Sequence, residues 1–239
     1  MRTALVIDGP SVFARAYYVA PDNPCAGLFS TVRNLIDRTD PNLLLWAWDG
    51  DHRKSVKNRK CKPTAYKEAM VTARQQLHSQ FGGTLVISDG EADDACASAA
   101  VQERRAGNSV VIVTSDGDME YLCVDGIRIY DLVNKRFKTR EDVLAKWHVH
   151  RLSHVPLVKS MVGDSGDGIC GVQGIGIKKA CKLYADTVSS SMAFEAARQS
   201  VRSALSETQR DEFDDALRAI MLYTDLEIPR ATPLKMFEL

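Results

Sequence analysis

The sequence predicts an α/β fold, a mostly parallel sheet with helices on both faces, followed by a helical region. Three observations predict it. Short apolar runs recur through the first 130 residues, separated by helix-length segments. Those runs are apolar nearly throughout rather than alternating, as in strands covered on both faces. From about Glu141 onward the pattern turns helical and no strand stands out.

In chain order, a strand is expected at Thr3–Ile7, then helices at Ser11–Tyr18 and Leu28–Arg38. A second strand, Leu43–Trp48, precedes a long helix at Thr64–Phe81. A strand at Thr84–Ile87 leads into an Ala-rich helix at Ala92–Arg105. Ser109–Val113 is the fourth strand and Ile127–Tyr130 a weaker fifth. Strands joined by helical crossovers make a parallel sheet. Trp46, Trp48, Met161 and Met221 lie in apolar patterns and are expected in the core. Ala193–Leu222 reads as amphipathic helices packed on the body.

Composition excludes several classes. The chain has 239 residues, 45% hydrophobic and 26% charged, with 31 Lys+Arg against 31 Asp+Glu. Such a chain buries a core and is not disordered. No stretch approaches the 18 apolar residues of a membrane span. The N-terminus shows no signal-peptide pattern. Six cysteines without a CxxC pair read as reduced thiols, consistent with a cytoplasmic location. Zero net charge means that a nucleic-acid reading must rest on charge distribution.

Charge is segregated. Between His52 and Lys67 lie seven basic residues and no acid: Arg53, Lys54, Lys57, Arg59, Lys60, Lys62 and Lys67. A solvated loop accounts for many such runs, but a polyanion would relieve their mutual repulsion. The acids gather differently. Asp8 and Asp49 directly follow the first two strands. Glu91, Asp93 and Asp94 follow the third, and Asp116 and Asp118 the fourth. In a parallel sheet those ends share one edge, where ligands bind. Asp164 and Asp167 add two more in Gly163-Asp164-Ser165-Gly166-Asp167. Each acid alone is explained by a helix cap or a turn. The set is not, because two carboxylates ~5 Å apart at an effective dielectric of ~20 repel by about 3 kcal/mol. Oxygen-only ligands favour Mg²⁺ or Mn²⁺, and a pair of such ions clamps both oxygens of a phosphoryl displacement.

Gly171-Val172-Gln173-Gly174-Ile175-Gly176-Ile177-Lys178-Lys179 is neither a P-loop nor a dinucleotide fingerprint. A Gly-Ile-Gly turn opening a Lys-bearing helix presents backbone N–H groups and a positive helix end to a phosphate. That is a helix-hairpin-helix arrangement, expected at about residues 160–186. It holds a nucleic-acid backbone without reading sequence.

Together these blocks resemble the 5′-nuclease family, which includes the 5′-to-3′ exonuclease domain of DNA polymerase I, stand-alone bacteriophage 5′-exonucleases and flap endonucleases. The opening Leu5-Val6-Ile7-Asp8-Gly9 with Arg15-Ala16-Tyr17, the blocks ending at Asp49, Glu91-Ala92-Asp93-Asp94, Thr114-Ser115-Asp116-Gly117-Asp118, the glycine hairpin and Tyr223-Thr224-Asp225-Leu226 occur in the family's order. The resemblance spans roughly residues 3–230 and is similar to the free-standing form.

The resemblance implies an α/β nuclease core at 1–150 with a basic arch at about 50–75, then a helical region at 151–239. It implies a first metal near Asp8, Asp49, Glu91 and Asp93, and a second near Asp116, Asp118, Asp164 and Asp167. Asp93 would lie near both, with Asp94 close by. It implies a K⁺ on the carbonyls of Val172 and Ile175. It implies that Tyr66-Lys67 matches a Tyr-Lys pair in a helical arch through which a 5′ strand threads, with Arg53 and Lys54 at the arch base. Where the family carries another basic residue, this chain has Met70. Arg15, Lys57, Arg59, Lys60, Gly174, Gly176, Lys178 and Lys179 are the expected DNA contacts.

The function that follows is a structure-specific 5′-nuclease using two Mg²⁺ (or Mn²⁺), acting as a monomer on DNA with a 5′ end or 5′ flap. Alternatives are a PIN-like ribonuclease, against which the hairpin and basic arch argue, and a phosphatase using Asp116-Gly117-Asp118, which leaves the other acids unexplained. A non-catalytic DNA-structure binder is a third, against which the full acid set argues. His148, His150 and His154 do not share one helical face and are expected as solvated or capping residues.

Overall fold

The computed structural model describes residues 1–20, 22–50 and 62–235. Arg53, Lys54, Lys57, Arg59 and Lys60 of the basic run lie outside the described residues.

The first strand, β1 (Thr3–Asp8), runs into α1 (Gly9–Val19) and then α2 (Pro24–Thr39). β2 (Leu43–Trp48), α3 (Thr64–Phe81), β3 (Thr84–Ile87), α4 (Ala92–Arg105) and β4 (Ser109–Thr114) follow. A 3₁₀ turn at Asp118–Leu122 leads to β5 (Ile127–Asp131), β6 (Arg136–Lys138) and α5 (Arg140–Trp147). The rest is α6 (Val155–Val162), the two-residue strands β7 (Gly163–Asp164) and β8 (Ile169–Cys170), α7 (Ile177–Thr187), α8 (Phe194–Ser203), α9 (Glu207–Ile220) and β9 (Thr232–Pro233).

Among the described residues the main sheet has the order β3-β2-β1-β4-β5-β6, with β9 also pairing β2. β1 to β5 pair in parallel; β6 and β9 are antiparallel. All six residues of β2 are buried, as a strand covered on both faces requires. One face packs Leu5, Ile7, Trp46 and Trp48 under α1, α2 and α3. The other packs Val6, Leu45 and Ile112 under α4 and the later helices. Alternate residues of one strand thus feed different cores.

α4 is the buried helix. Its alanines at 92, 95, 97, 99 and 100 leave little side chain between helix and sheet, and its first turn sinks out of solvent. That places Asp93 and Asp94 inside the protein. Two glycines allow close backbone approaches. A Cβ on Gly50 would overlap the Ser88 carbonyl, so the loop after β2 could not pass the one after β3. Gly163 has φ 83°, and a Cβ there would overlap the Gly171 backbone.

The helical expectation beyond Glu141 needs correcting. β7 and β8 form a small antiparallel ribbon, and β9 returns to the main sheet. Pairs two residues long carry too few apolar positions to show a period of two. His154 corrects another expectation: it is fully buried, with Nδ1 2.7 Å from the Tyr184 hydroxyl. His148 does cap α5, in a left-handed conformation at φ 52°.

Candidate active site

The acids meet at the C-terminal edge of the sheet. Asp8 ends β1, is 2% exposed, and accepts from the Ser11 amide at 3.1 Å and the Thr114 hydroxyl at 2.6 Å. Burial pushes its carboxyl up from 3.8 to about 6; the hydrogen bonds from Ser11 and Thr114 oppose this, and the Asp116 charge adds to it. Asp49 Oδ1 accepts from the Ala92 amide at 3.0 Å, capping α4 from a neighbouring strand. Glu91 is the N-cap residue of α4 and Asp93 lies in its first turn; both are buried. Burial and then the charges of Asp8, Asp93 and Asp49 raise the Cys96 thiol well above its usual value. Three acids from three elements therefore surround one point of α4.

A second group lies beside the first. Carboxylate oxygens of Asp116, Asp118 and Asp167 lie within 4.8 Å of one another. Asp116 Oδ1 accepts from the Asp118 amide at 2.7 Å. Asp164 accepts from the Gly166 amide at 2.9 Å, and this turn carries Asp167 inward. Thr114 links the groups: its hydroxyl donates to Asp8 and accepts from the Asp116 amide at 2.9 Å.

One ammonium is buried among these acids. Lys159, 4% exposed on α6, pairs with Asp118 and, at 2.8 Å, with Asp164. Burial works to lower its pKa, but the Asp118 and Asp116 charges and the hydrogen bonds to Asp118 and Asp164 win and raise it. Lys159 in turn draws the Asp164 carboxyl down against burial. The donor set fits hard divalent cations: it is all carboxylate oxygen, closely spaced, and one ammonium offsets only part of its charge.

Asp94, next to Asp93 on α4, also holds the C-terminal segment. It is buried, and its Oδ1 accepts from the Tyr223 amide at 2.9 Å, pinning the C-terminal segment to α4. Tyr66 is 5% exposed, packed edge-on against Phe13 at 5.1 Å and Tyr17 at 4.8 Å. Lys67 beside it is exposed, and Met70 packs against the core. Arg15 is exposed on α1. In the hairpin the Ile175 amide donates to the Val172 carbonyl at 3.0 Å. Gly174 has φ 77°, and Gly176 caps α7. Lys178 is exposed, while Lys179 folds back on the Gly174 carbonyl at 2.9 Å. α9 braces this loop: the Gln173 amide donates to Glu212 at 2.8 Å.

Sequence reasoning missed Lys159, Thr114, Ser11 and Glu120. Lys159 leaves a signal, a lone charge in the apolar run Val155-Pro156-Leu157-Val158-Lys159-Ser160-Met161. Glu120, also buried, accepts from Lys138, Lys146 and Trp147 at 2.7, 2.9 and 2.6 Å and fixes the turn that carries Asp118. Nothing in its local sequence marks it.

The chain matches known proteins over most of its length. Residues 3–148 match the family described as 5′-3′ exonuclease, N-terminal resolvase-like domain. A flap endonuclease Xni from Shewanella loihica is 32% identical over 196 residues, 77% of this chain and 76% of that protein. A DNA polymerase I from Caldicellulosiruptor bescii is 28% identical over 202 residues, and the match spans 24% of that longer protein. Among solved structures, T5 5′-exonuclease with bound zinc superposes with a TM-score of 0.73 at 18% identity, covering 93% of this chain and 90% of that one. The catalytic core of Rad2 in complex with DNA substrate gives 0.58 at 15% identity, covering 97% and 82%. Those structural likenesses carry the fold, an α/β sheet with helices placed as described here. The match over residues 3–148, with the sequence relatives, shows that the chain belongs to the 5′-3′ exonuclease family.

Proposed function

We propose that this chain is a metal-dependent, structure-specific 5′-nuclease that hydrolyses DNA phosphodiesters at or near a free 5′ end. The observation that carries the reading is the convergence of acids from β1, β2, α4, the turn after β4 and the β7–β8 turn at one sheet edge. Its tightest part is the Asp116–Asp118–Asp167 cluster. The relatives support it. One is a flap endonuclease, another a DNA polymerase I, and the Rad2 neighbour is in complex with DNA substrate.

Asp8, Asp49, Glu91 and Asp93 would hold one Mg²⁺ or Mn²⁺; Asp116, Asp118, Asp164 and Asp167 a second. When bound, these ions supply positive charge beside the phosphate and acidify the attacking water. The chain's own side chains do the rest. Thr114 orients Asp8, and Lys159 pairs with Asp118 and holds the Asp164 carboxyl ionised. Lys67, exposed on α3, would add positive charge toward the substrate phosphate. The hairpin and the N-terminus of α7, with Lys178, grip backbone phosphates without reading sequence. K⁺ would sit on the carbonyls of Val172 and Ile175; the Val172 oxygen retains a lone pair beyond its bond from Ile175. In this reading the chain acts as a monomer on DNA in the cytoplasm, and Arg53 and Lys54, outside the described residues, keep the DNA-binding role that the family resemblance implies. Among the described residues no helix is long and apolar enough to cross a membrane.

A 5′-labelled flap duplex incubated with Mg²⁺ or with EDTA tests the proposal. Cleavage near the junction or stepwise from the 5′ end is expected with Mg²⁺ and none with EDTA. Asp116→Asn is expected to abolish cleavage and keep the fold. Wild-type turnover by that variant, or turnover in EDTA, defeats the assignment; cleavage of RNA alone would favour a ribonuclease.

A further inference from the structure

Glu120 is a buried carboxylate that the reaction leaves unused. It is 2% exposed and accepts from the Lys138 ammonium at 2.7 Å, from the Lys146 ammonium at 2.9 Å on each oxygen, and from the Trp147 indole N–H at 2.6 Å. Lys138 comes from β6, and Lys146 and Trp147 from the end of α5. The Lys138 and Lys146 side chains are 14% and 52% exposed, and Lys146 also lies over the Trp147 ring at 4.8 Å. These contacts occupy both carboxylate oxygens, so Glu120 is an anchor rather than an open ligand.

Its place in the chain gives the anchor a purpose. Glu120 lies two residues after Asp118 in the 3₁₀ turn Asp118–Leu122. A 3₁₀ helix has three residues per turn, so side chains two apart leave it on different sides. Asp118 leaves toward Lys159 on α6, and Glu120 toward β6 and α5. The turn is therefore gripped by ammonium groups from two sides. They meet at Gly117: a Cβ there would stand 3.8 Å from Lys159 Nζ, 3.9 Å from Lys146 Nζ and 4.0 Å from Glu120 Cδ. The Gly117 backbone, at φ −78° and ψ −13°, does not itself require glycine. The Glu120 amide also donates to the Gly117 carbonyl at 3.2 Å, and its carbonyl accepts from the Cys123 amide at 3.1 Å. Apolar side chains would fill this space with less desolvation cost than a carboxylate and two ammonium groups. The charged anchor adds direction instead. It fixes the turn in one position although the oxygens of Asp116, Asp118 and Asp167, within 4.8 Å of one another, repel.

We propose that Glu120 is a positioning residue for the second metal. Its anchor on Lys138, Lys146 and Trp147 holds Asp116 and Asp118 opposite Asp167 before a cation arrives, so the cation meets a preformed site. The inference rests on the nuclease reading and deepens it, by naming what keeps the second group of acids assembled.

The test uses the full chain with Glu120→Gln, which keeps the shape and one acceptor oxygen and removes the charge. Trp147→Phe, which removes one donor and keeps a ring, is the milder variant and decides the matter if Glu120→Gln does not fold. Mn²⁺ binding without DNA is followed by the EPR signal of free Mn²⁺, below the melting temperature of each variant, so the measurement does not depend on cleavage. One of the two sites should bind Mn²⁺ about tenfold more weakly. With a labelled flap duplex, the Mg²⁺ concentration for half-maximal kcat should rise by a similar factor. At saturating Mg²⁺ kcat should recover, and KM should hold throughout because the hairpin is untouched. A purely structural Glu120 would lower Tm and leave Mn²⁺ affinity and Mg²⁺ dependence at wild-type values; that result in the folded variant overturns the inference, as does a wild-type chain that binds no Mn²⁺. If Mn²⁺ affinity depends on Glu120 but the wild-type chain never cuts DNA, the nuclease reading fails and the role of Glu120 stands.

Discussion

Replacing Lys159 by methionine isolates the electrostatics of the acid cluster. Methionine nearly matches the volume of the stem, so the change removes a charge without opening a cavity. Lys159 is 4% exposed and touches Asp118, whose side chain is 0% exposed, and Asp164, whose side chain is 27% exposed. Removing one partner of a buried ion pair costs about 3–5 kcal/mol, because the remaining charge is stranded. Asp164 is partly screened by water, which favours the low end, about 3 kcal/mol. In a domain of this size each kcal/mol moves Tm by roughly 2–4 °C, so a fall of about 6–12 °C is expected in EDTA at pH 7.5. Calorimetry with EDTA and with excess MgCl₂ measures it. The variant should regain more Tm from Mg²⁺ than the wild type does, because a bound cation replaces the missing charge. A Tm in EDTA within 2 °C of wild type would refute the reasoning; it would mean that the carboxylates repel far less than their spacing implies.

Asp8 gives a pH prediction. Its carboxyl, raised from 3.8 to about 6, holds its proton more tightly in the folded state. In the metal-free protein Asp8 should therefore contribute stability that is present below about pH 4, is lost as pH rises to about 6, and levels off above. The shift amounts to about 3 kcal/mol, and Asp8→Asn should flatten that slope in urea titrations; an unchanged slope rejects it. Thr114→Val removes the donor to Asp8 and the acceptor for the Asp116 amide. It should cost about 1–3 kcal/mol, and the pH profile of cleavage should move upward, since that hydrogen bond lowers the Asp8 pKa; a profile that stays put counts against the assignment. Arg230→Ala strips the bidentate partner, at 2.6 and 2.8 Å, from the fully buried Glu103. A loss of about 2–3 kcal/mol and faster amide exchange at Ala231 and Thr232 are expected; unchanged exchange there would show that the C-terminal segment is held by other contacts.

Much of the sheet was legible because its strands are apolar on both faces. Leu43–Trp48 and Thr84–Ile87, with the helices Thr64–Phe81 and Ala92–Arg105, match to the residue. β1 and β4 each extend one residue further, into Asp8 and Thr114, the residues that turn to the site. β7, β8 and β9 were illegible because two residues of strand leave no periodicity. The acids were legible as a set because a parallel sheet brings the C-terminal ends of its strands to one edge.

The sequence by itself determined which side chains arrive at that edge, since strand ends and following turns are local features. Which acid faces which neighbour was decided only in three dimensions. Asp94 and Asp93 are adjacent in sequence, yet Asp94 turns to the Tyr223 amide, 129 residues away, while Asp93 lies near Asp8 and Asp49 around Cys96. Lys159 enters the cluster because α6 packs beside the turn that carries Asp118. Local preference sets where a carboxylate stands on its strand or helix. Its hydrogen bonds and counter-charge come from residues brought together only when the helices close over the sheet.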